Sequence, residues 1–143
     1  MKDSLHYKLR ACHTNCQKMI VQDLKKETDL KPGEPKILEF LAEHEPCEQK
    51  EIAHGCDLDS ASVTGILRRM EERDLIHREM KDGNRRSLYV SMTALGRSRL
   101  QNVEQTFHKI DEMALSGFSD KDRKAFFHML DLVYNNLKKE YLF

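Results

Sequence analysis

Between positions 60 and 86 the chain carries Ser60, Ser62 and Thr64, then the pair Arg68-Arg69, then a second pair, Arg85-Arg86. Short hydroxyls exchange hydrogen bonds with base edges, and a guanidinium binds guanine or a phosphate. The chemistry available to such a set is recognition of a nucleic-acid duplex. No comparable set points to catalysis. The chain has no phosphate-cradling glycine loop, no His-Glu-x-x-His and no Gly-x-Ser-x-Gly, and its acidic residues are spread out without an evident pair. An enzyme is not expected.

Recognition of this kind needs a helix to carry the hydroxyls and a hairpin to carry the second arginine pair. Two short helices fit between Cys47 and Asp74. Glu48 to His54 places Ile52 and Ala53 inward, and Gly55 is expected to end it in the left-handed conformation. Asp59 or Ser60 then caps a helix whose inward side is Val63, Ile66, Leu67 and Met70. Two helices joined by so short a turn form a helix-turn-helix. Next, Leu75 to Arg78 and Ser87 to Met92 read as strands around a polar loop, Lys81 to Arg86. The expectation is a hairpin, or wing, with Arg85 and Arg86 at its tip.

Longer helices flank this lobe. Leu5, Leu9, Cys12, Cys16 and Met19 step by helical intervals, widened by Ile20 and Leu24, and predict an amphipathic helix ending near Thr28. Lys31 to Pro35 breaks it, and Pro35 sits in the first turn of a helix with Ile37, Leu38, Phe40 and Leu41 inward, ended by Glu45-Pro46. Thr93 caps a long helix bearing Leu100, Val103, Phe107, Ile110 and Ala114, and Ser119 with Asp122 resembles a capping pair for the last one. That last helix is apolar on two sides, with Phe127, Leu130, Tyr134, Leu137 and Tyr141 on one stripe and Phe126, Met129 and Val133 on another. So much apolar surface suggests cover by a second subunit, with an intramolecular bundle as the alternative.

Charge sharpens the picture. Over 143 residues, 24 Lys+Arg balance 24 Asp+Glu, which by itself argues against a phosphate-rich partner. Resolved by segment, residues 60–100 hold 9 basic and 5 acidic groups while residues 47–59 hold 1 and 4. The basic surplus therefore falls on the second short helix and the wing. No apolar run approaches the roughly 20 residues of a membrane span, and the N-terminus is not that of a signal peptide. A cytoplasmic protein with reduced cysteines and no membrane partner is expected.

The stretches Leu58 to Thr64, Arg69-Met70-Glu71, Leu75 to Arg78, Asn84 to Ser87 and Met92 to Gly96 resemble the MarR family of bacterial transcriptional regulators. The resemblance covers about residues 30 to 100 by motif. It implies a mainly α fold with a small β-hairpin wing: a single domain over 1–143, with a winged helix-turn-helix lobe at 33–99 and dimerisation helices at 1–30 and 100–143. It further implies a homodimer on a pseudo-palindromic operator of double-stranded DNA, usually repressing, released by a small-molecule, oxidant or metal signal. Three residues depart from the pattern: Gly65 where Arg is frequent, Asn84 where an Asp commonly braces the wing through an Arg, and Asp74 where Gly is usual.

By position within the family, Tyr7, His13, Met19 and Phe40 are candidates to line an effector site. Cys12 and Cys16, one helical turn apart, are the redox candidates, although on an apolar stripe Cys behaves as a small hydrophobe. With no Cys-x-x-Cys and no His pair at helical spacing, neither a metal site nor a cofactor is expected. A thiol- or metal-sensing regulator of the same fold and a winged-helix protein-interaction module stand as the alternatives.

Overall fold

The structure, a computed structural model, describes residues 2–81 and 83–141, without the side chains of 81, 84–87, 140 and 141. Among these residues it is mostly helical, with one small antiparallel sheet. The chain forms two compact units, residues 1–108 and residues 109–143.

In the first unit, α1 (Leu5–Leu24) starts at Ser4, whose hydroxyl accepts from the Tyr7 amide. It stops one turn before the expected Thr28. Both the amide and the hydroxyl of Thr28 fold back onto the Leu24 carbonyl, each at 2.8 Å, which closes the helix there. Helix α2 (Glu34–His44) follows Gly33, whose φ of +87° only glycine adopts readily, and buries Ile37, Leu38 and Leu41. Phe40 is only half-buried.

The sequence reading missed a strand. β1 (Cys47–Glu48) pairs antiparallel with the second strand of the wing, so the sheet has three strands, and α3 (Gln49–Gly55) begins one residue later than expected. Glu48 serves as the cap of α3 in a reciprocal box with Glu51. The left-handed residue after α3 is Asp57 (φ +54°), not Gly55. Gly55 is glycine for a different reason, since a Cβ there would collide with the ring of Phe40. Helix α4 (Ser60–Glu72) comes next and ends before Asp74, which takes φ +63° at the position where the family usually has glycine.

The wing is β2 (Ile76–Lys81) and β3 (Asn84–Met92), in a sheet of order β1-β3-β2. Lys81 pairs with Asn84 across the turn, so the connection is far tighter than the six-residue loop expected. Helix α5 (Ala94–Ala114) is capped by Thr93, whose hydroxyl accepts from the Gly96 amide and donates to the Asp74 carbonyl at 2.5 Å. Gly96 lies so close to the Leu75 carbonyl that a Cβ would collide with it. Leu67, Met70, Leu75, Ile76, Val90 and Val103 are fully buried, and Thr106 bonds Asp23 of α1 at 2.6 Å.

In the second unit, the end of α5 leads through Gly117 (φ +89°) into α6 (Asp120–Tyr141). Ser119 and Asp122 form the expected reciprocal cap, and Arg123 grips Glu112 with two bonds of 2.9 and 3.0 Å. Phe127, Met129, Leu132, Tyr134 and Leu137 of α6 are exposed, as are Leu5 and Leu9 on α1.

Candidate nucleic-acid interface

Helix α4 sorts its side chains cleanly. Val63, Ile66, Leu67 and Met70 are buried, while Ser60, Ser62, Thr64, Arg68 and Arg69 are exposed on the other side. Asp59 begins the helix, and its carboxylate accepts the Ser62 amide at 2.7 Å and the Ser62 hydroxyl at 2.8 Å. These bonds, from the backbone amide first, hold its carboxyl below the usual value. The Thr64 hydroxyl donates to the Ser60 carbonyl at 2.8 Å and accepts from the Gln49 side-chain amide at 2.6 Å. Gln49, on α3, is a member of this surface that sequence reading did not find. Its partner lies 15 positions away, beyond any local pattern.

Gly65 has a specific effect on this face. A Cβ there would stand 3.3 Å from Nη1 of Arg69, so the Arg69 guanidinium lies back over the space that the glycine leaves open. Arg85 and Arg86 fall within β3 by backbone, not in a loop at the tip, and their side chains lie outside the described residues. The wing brace for which the family commonly has an Asp at position 84 falls outside them too.

Ion pairs of Arg73 and of Arg78 fix the lobe behind this surface. Glu34, 1% exposed, accepts from Nη1 of Arg73 at 2.6 and 2.9 Å and from the Lys31 amide at 2.8 Å. Arg73 also donates to the Asp29 carbonyl at 2.9 Å and pairs with its carboxylate at 3.3 Å. The segment before α2 is thereby tied to the end of α4. Arg78 of β2 reaches Glu71 of α4 at 2.9 Å, which fastens the wing to the helix and lowers the Glu71 pKa chiefly through that hydrogen bond, against the effect of burial.

A pocket of about 940 Å³ opens beside the lobe within the first unit. His13, Ile20 and Leu24 of α1, Phe40 and His44 of α2, Cys56, Ile66 of α4 and Phe107 of α5 contribute to its lining. Two of the four effector candidates, His13 and Phe40, are there. Tyr7 and Met19 are not, and Tyr7 instead has the Arg10 guanidinium 5.5 Å above its ring. Phe40 stacks on His44 with centroids 4.1 Å apart.

No disulfide joins the cysteines. Cys12 is exposed and Cys16 half-buried, so the apolar stripe that contains them is open to solvent in the isolated chain. Cys47 and Cys56 are buried, and burial pushes the Cys47 thiol up to about 11 and raises that of Cys56. Among the described residues no three His, Cys, Asp or Glu side chains converge as metal ligands, and no helix is long and apolar enough to cross a membrane.

A model of the MarR family matches residues 30–88, which span α2 to the middle of the wing. Among curated proteins, the HTH-type transcriptional regulator PchR of Bacillus subtilis is 27% identical over 108 residues. That match takes in 73% of this chain but only 63% of the relative's length. Among solved structures, the transcriptional repressor CouR bound to a 23-mer DNA duplex superposes with a TM-score of 0.82 at 20% identity, covering 93% of this chain and 94% of that one. BpsR of Bordetella bronchiseptica, whose DNA binding is regulated by 6-hydroxynicotinic acid, gives 0.81 at 19% identity, covering 94% and 95%. The likeness to these two is one of fold. Residues 30–88 thus match the MarR family, and the chain as a whole is similar in fold to solved transcriptional regulators.

Proposed function

We propose that the protein is a sequence-specific DNA-binding transcriptional regulator, a repressor that holds a pseudo-palindromic operator as a homodimer and releases it when a small molecule binds. The observation that carries this reading is the two-sided α4. Its apolar side anchors it in the core, and its exposed side carries Ser60, Ser62, Thr64, Arg68 and Arg69 within the 60–100 segment that holds the basic surplus. A helix of that composition suits the major groove, with Ser60, Ser62 and Thr64 near its entering end and Arg68 and Arg69 further along. Arg85 and Arg86 of the wing are assigned to phosphates or the minor groove. The lobe at 33–99 reads DNA, and the helices at 1–30 and 100–143 bring two lobes together through their exposed apolar side chains. The pocket lined by His13 and Phe40 is the place for the effector.

Binding to duplexes from the region upstream of the protein's own gene, followed across salt concentrations, tests the reading. Affinity should fall steeply with salt, by a slope of about 0.9 per phosphate contact. In a dimer, alanine at both Arg85 and Arg86 removes four cations and should flatten the slope by about 3–4. A wild-type protein with no preference for any duplex would overturn the reading in favour of a protein-interaction module.

A further inference from the structure

Two of the exposed hydroxyls of α4, those of Ser62 and Thr64, are not free to turn either way. The Ser62 hydroxyl lies 2.8 Å from a carboxylate oxygen of Asp59, and an ionised carboxylate only accepts, so the hydroxyl proton points inward. The Thr64 hydroxyl lies 2.8 Å from the Ser60 carbonyl, which also only accepts, so its proton is committed as well. The Gln49 group at 2.6 Å from Thr64 must then be its NH2, which occupies one Thr64 lone pair and orients the amide. We infer that Ser62 and Thr64 present only lone pairs to a bound duplex, so that this part of α4 selects the exocyclic amino groups of adenine or cytosine and disfavours the acceptor edges of guanine and thymine.

This inference rests on the DNA-reading proposal above and names the specificity that α4 would have. In the major groove, adenine N6 and cytosine N4 are donors, whereas guanine N7 and O6 and thymine O4 are acceptors. An acceptor-only hydroxyl set against guanine O6 would oppose two lone pairs. Asp59 and Gln49 act here as positioning residues: neither has to touch a base, and each fixes what its neighbour offers. Arg68 and Arg69, which can only donate, complete the surface with the opposite preference further along the helix.

The decisive variant is Asp59→Asn. Asparagine is as good a helix cap as aspartate, so α4 should survive, and its carbonyl keeps the Ser62 amide. Its NH2 then faces the Ser62 oxygen, which turns the hydroxyl proton outward and makes Ser62 a donor. Half-sites would be selected from a randomised duplex library by wild type, Asp59→Asn, Ser62→Ala, Thr64→Ala and Thr64→Ser. The selected sequence would then be remade with purine for adenine or 2-pyrimidinone for cytosine, which lack the amino group, or with 7-deazapurines, which lack N7. Removal of one amino group should weaken wild-type binding by about threefold to tenfold and leave Ser62→Ala or Thr64→Ala nearly unaffected, with Thr64→Ser behaving as wild type. Asp59→Asn should shift its preference at the Ser62 contact toward guanine or thymine. Coupling of Ser62 or Thr64 to the N7 deletion, or unchanged selection in Asp59→Asn and both alanine variants, would overturn the inference while leaving DNA binding intact. Failure of the wild type to enrich any sequence would remove the parent reading as well.

Discussion

Replacing Arg73 with alanine would strand one of the least exposed side chains in the protein. Glu34 is 1% exposed and has two bonds from Arg73, against a single bond from the Lys31 amide. Removing one partner of a buried pair costs about 3–5 kcal/mol, because the remaining charge keeps its desolvation penalty without compensation. The Asp29 pair adds little, since that side chain is 69% exposed. At about 3 °C per kcal/mol for a chain near this size, the melting temperature should drop by about 9–15 °C. The double variant Glu34→Leu/Arg73→Met removes both charges, and leaves the Lys31 amide without its acceptor and the exposed Asp29 without its Arg73 partner. It should therefore recover to within about 1–2 kcal/mol of wild type. Urea unfolding of the three proteins at one fixed concentration measures this. A loss below about 1 kcal/mol for Arg73→Ala, or a double variant as unstable as the single one, would refute the assignment of this pair as a buried clamp.

Gly65→Ala should stabilise α4 by up to about 1 kcal/mol through helix propensity. Its Cβ, 3.3 Å from the Arg69 guanidinium, should displace that cation, so duplex affinity falls while the melting temperature rises; a rise in both would refute the role given to Arg69. A thiol reagent should leave Cys47 and Cys56 unmodified in the native protein and reach all four cysteines after denaturation, because burial keeps those two protonated. Rapid native labelling at Cys47 would contradict this. The Glu71 pKa is lowered in the folded state, so its contribution to stability is complete above the ordinary value of 4.5 and is lost as pH falls through the lower folded value. The stability difference between wild type and Arg78→Gln should therefore shrink in acid, and a difference constant from neutral to acidic pH would rule out the Arg78 cause.

What could be read from the sequence was what is decided within one or two helical turns. The buried side of α4, the Asp59 cap, the Thr93 cap and the Ser119–Asp122 box all depend on residues three or four apart. What was missed depends on distant partners. β1 is two residues long and exists only because β3 pairs with it, with Cys47 opposite Val90. Glu34 looked like an ordinary first-turn acid, and nothing local says that Arg73, 39 positions on, closes over it. Gly55 reads as a helix terminator in one dimension. In three dimensions it makes room for Phe40, and Asp57 makes the turn. Among site residues, Ser62 and Thr64 were legible as hydroxyls on an exposed face, but Gln49, which donates to Thr64, was not, because it belongs to another helix.

The joint at Thr93 and Gly96 has a mechanical meaning. Thr93 bonds forward to Gly96 and back to Asp74, and the Gly96 backbone rests on the Leu75 carbonyl, so the start of α5 has no slack against the base of the wing. Helix and lobe must then turn as one rigid arm. Over the roughly 22 Å of α5 that belongs to the first unit, a tilt of about 5° becomes a displacement of about 2 Å. That is most of a hydrogen-bond length, so under the DNA-reading role proposed above such a tilt would break the base contacts of α4 without deforming it.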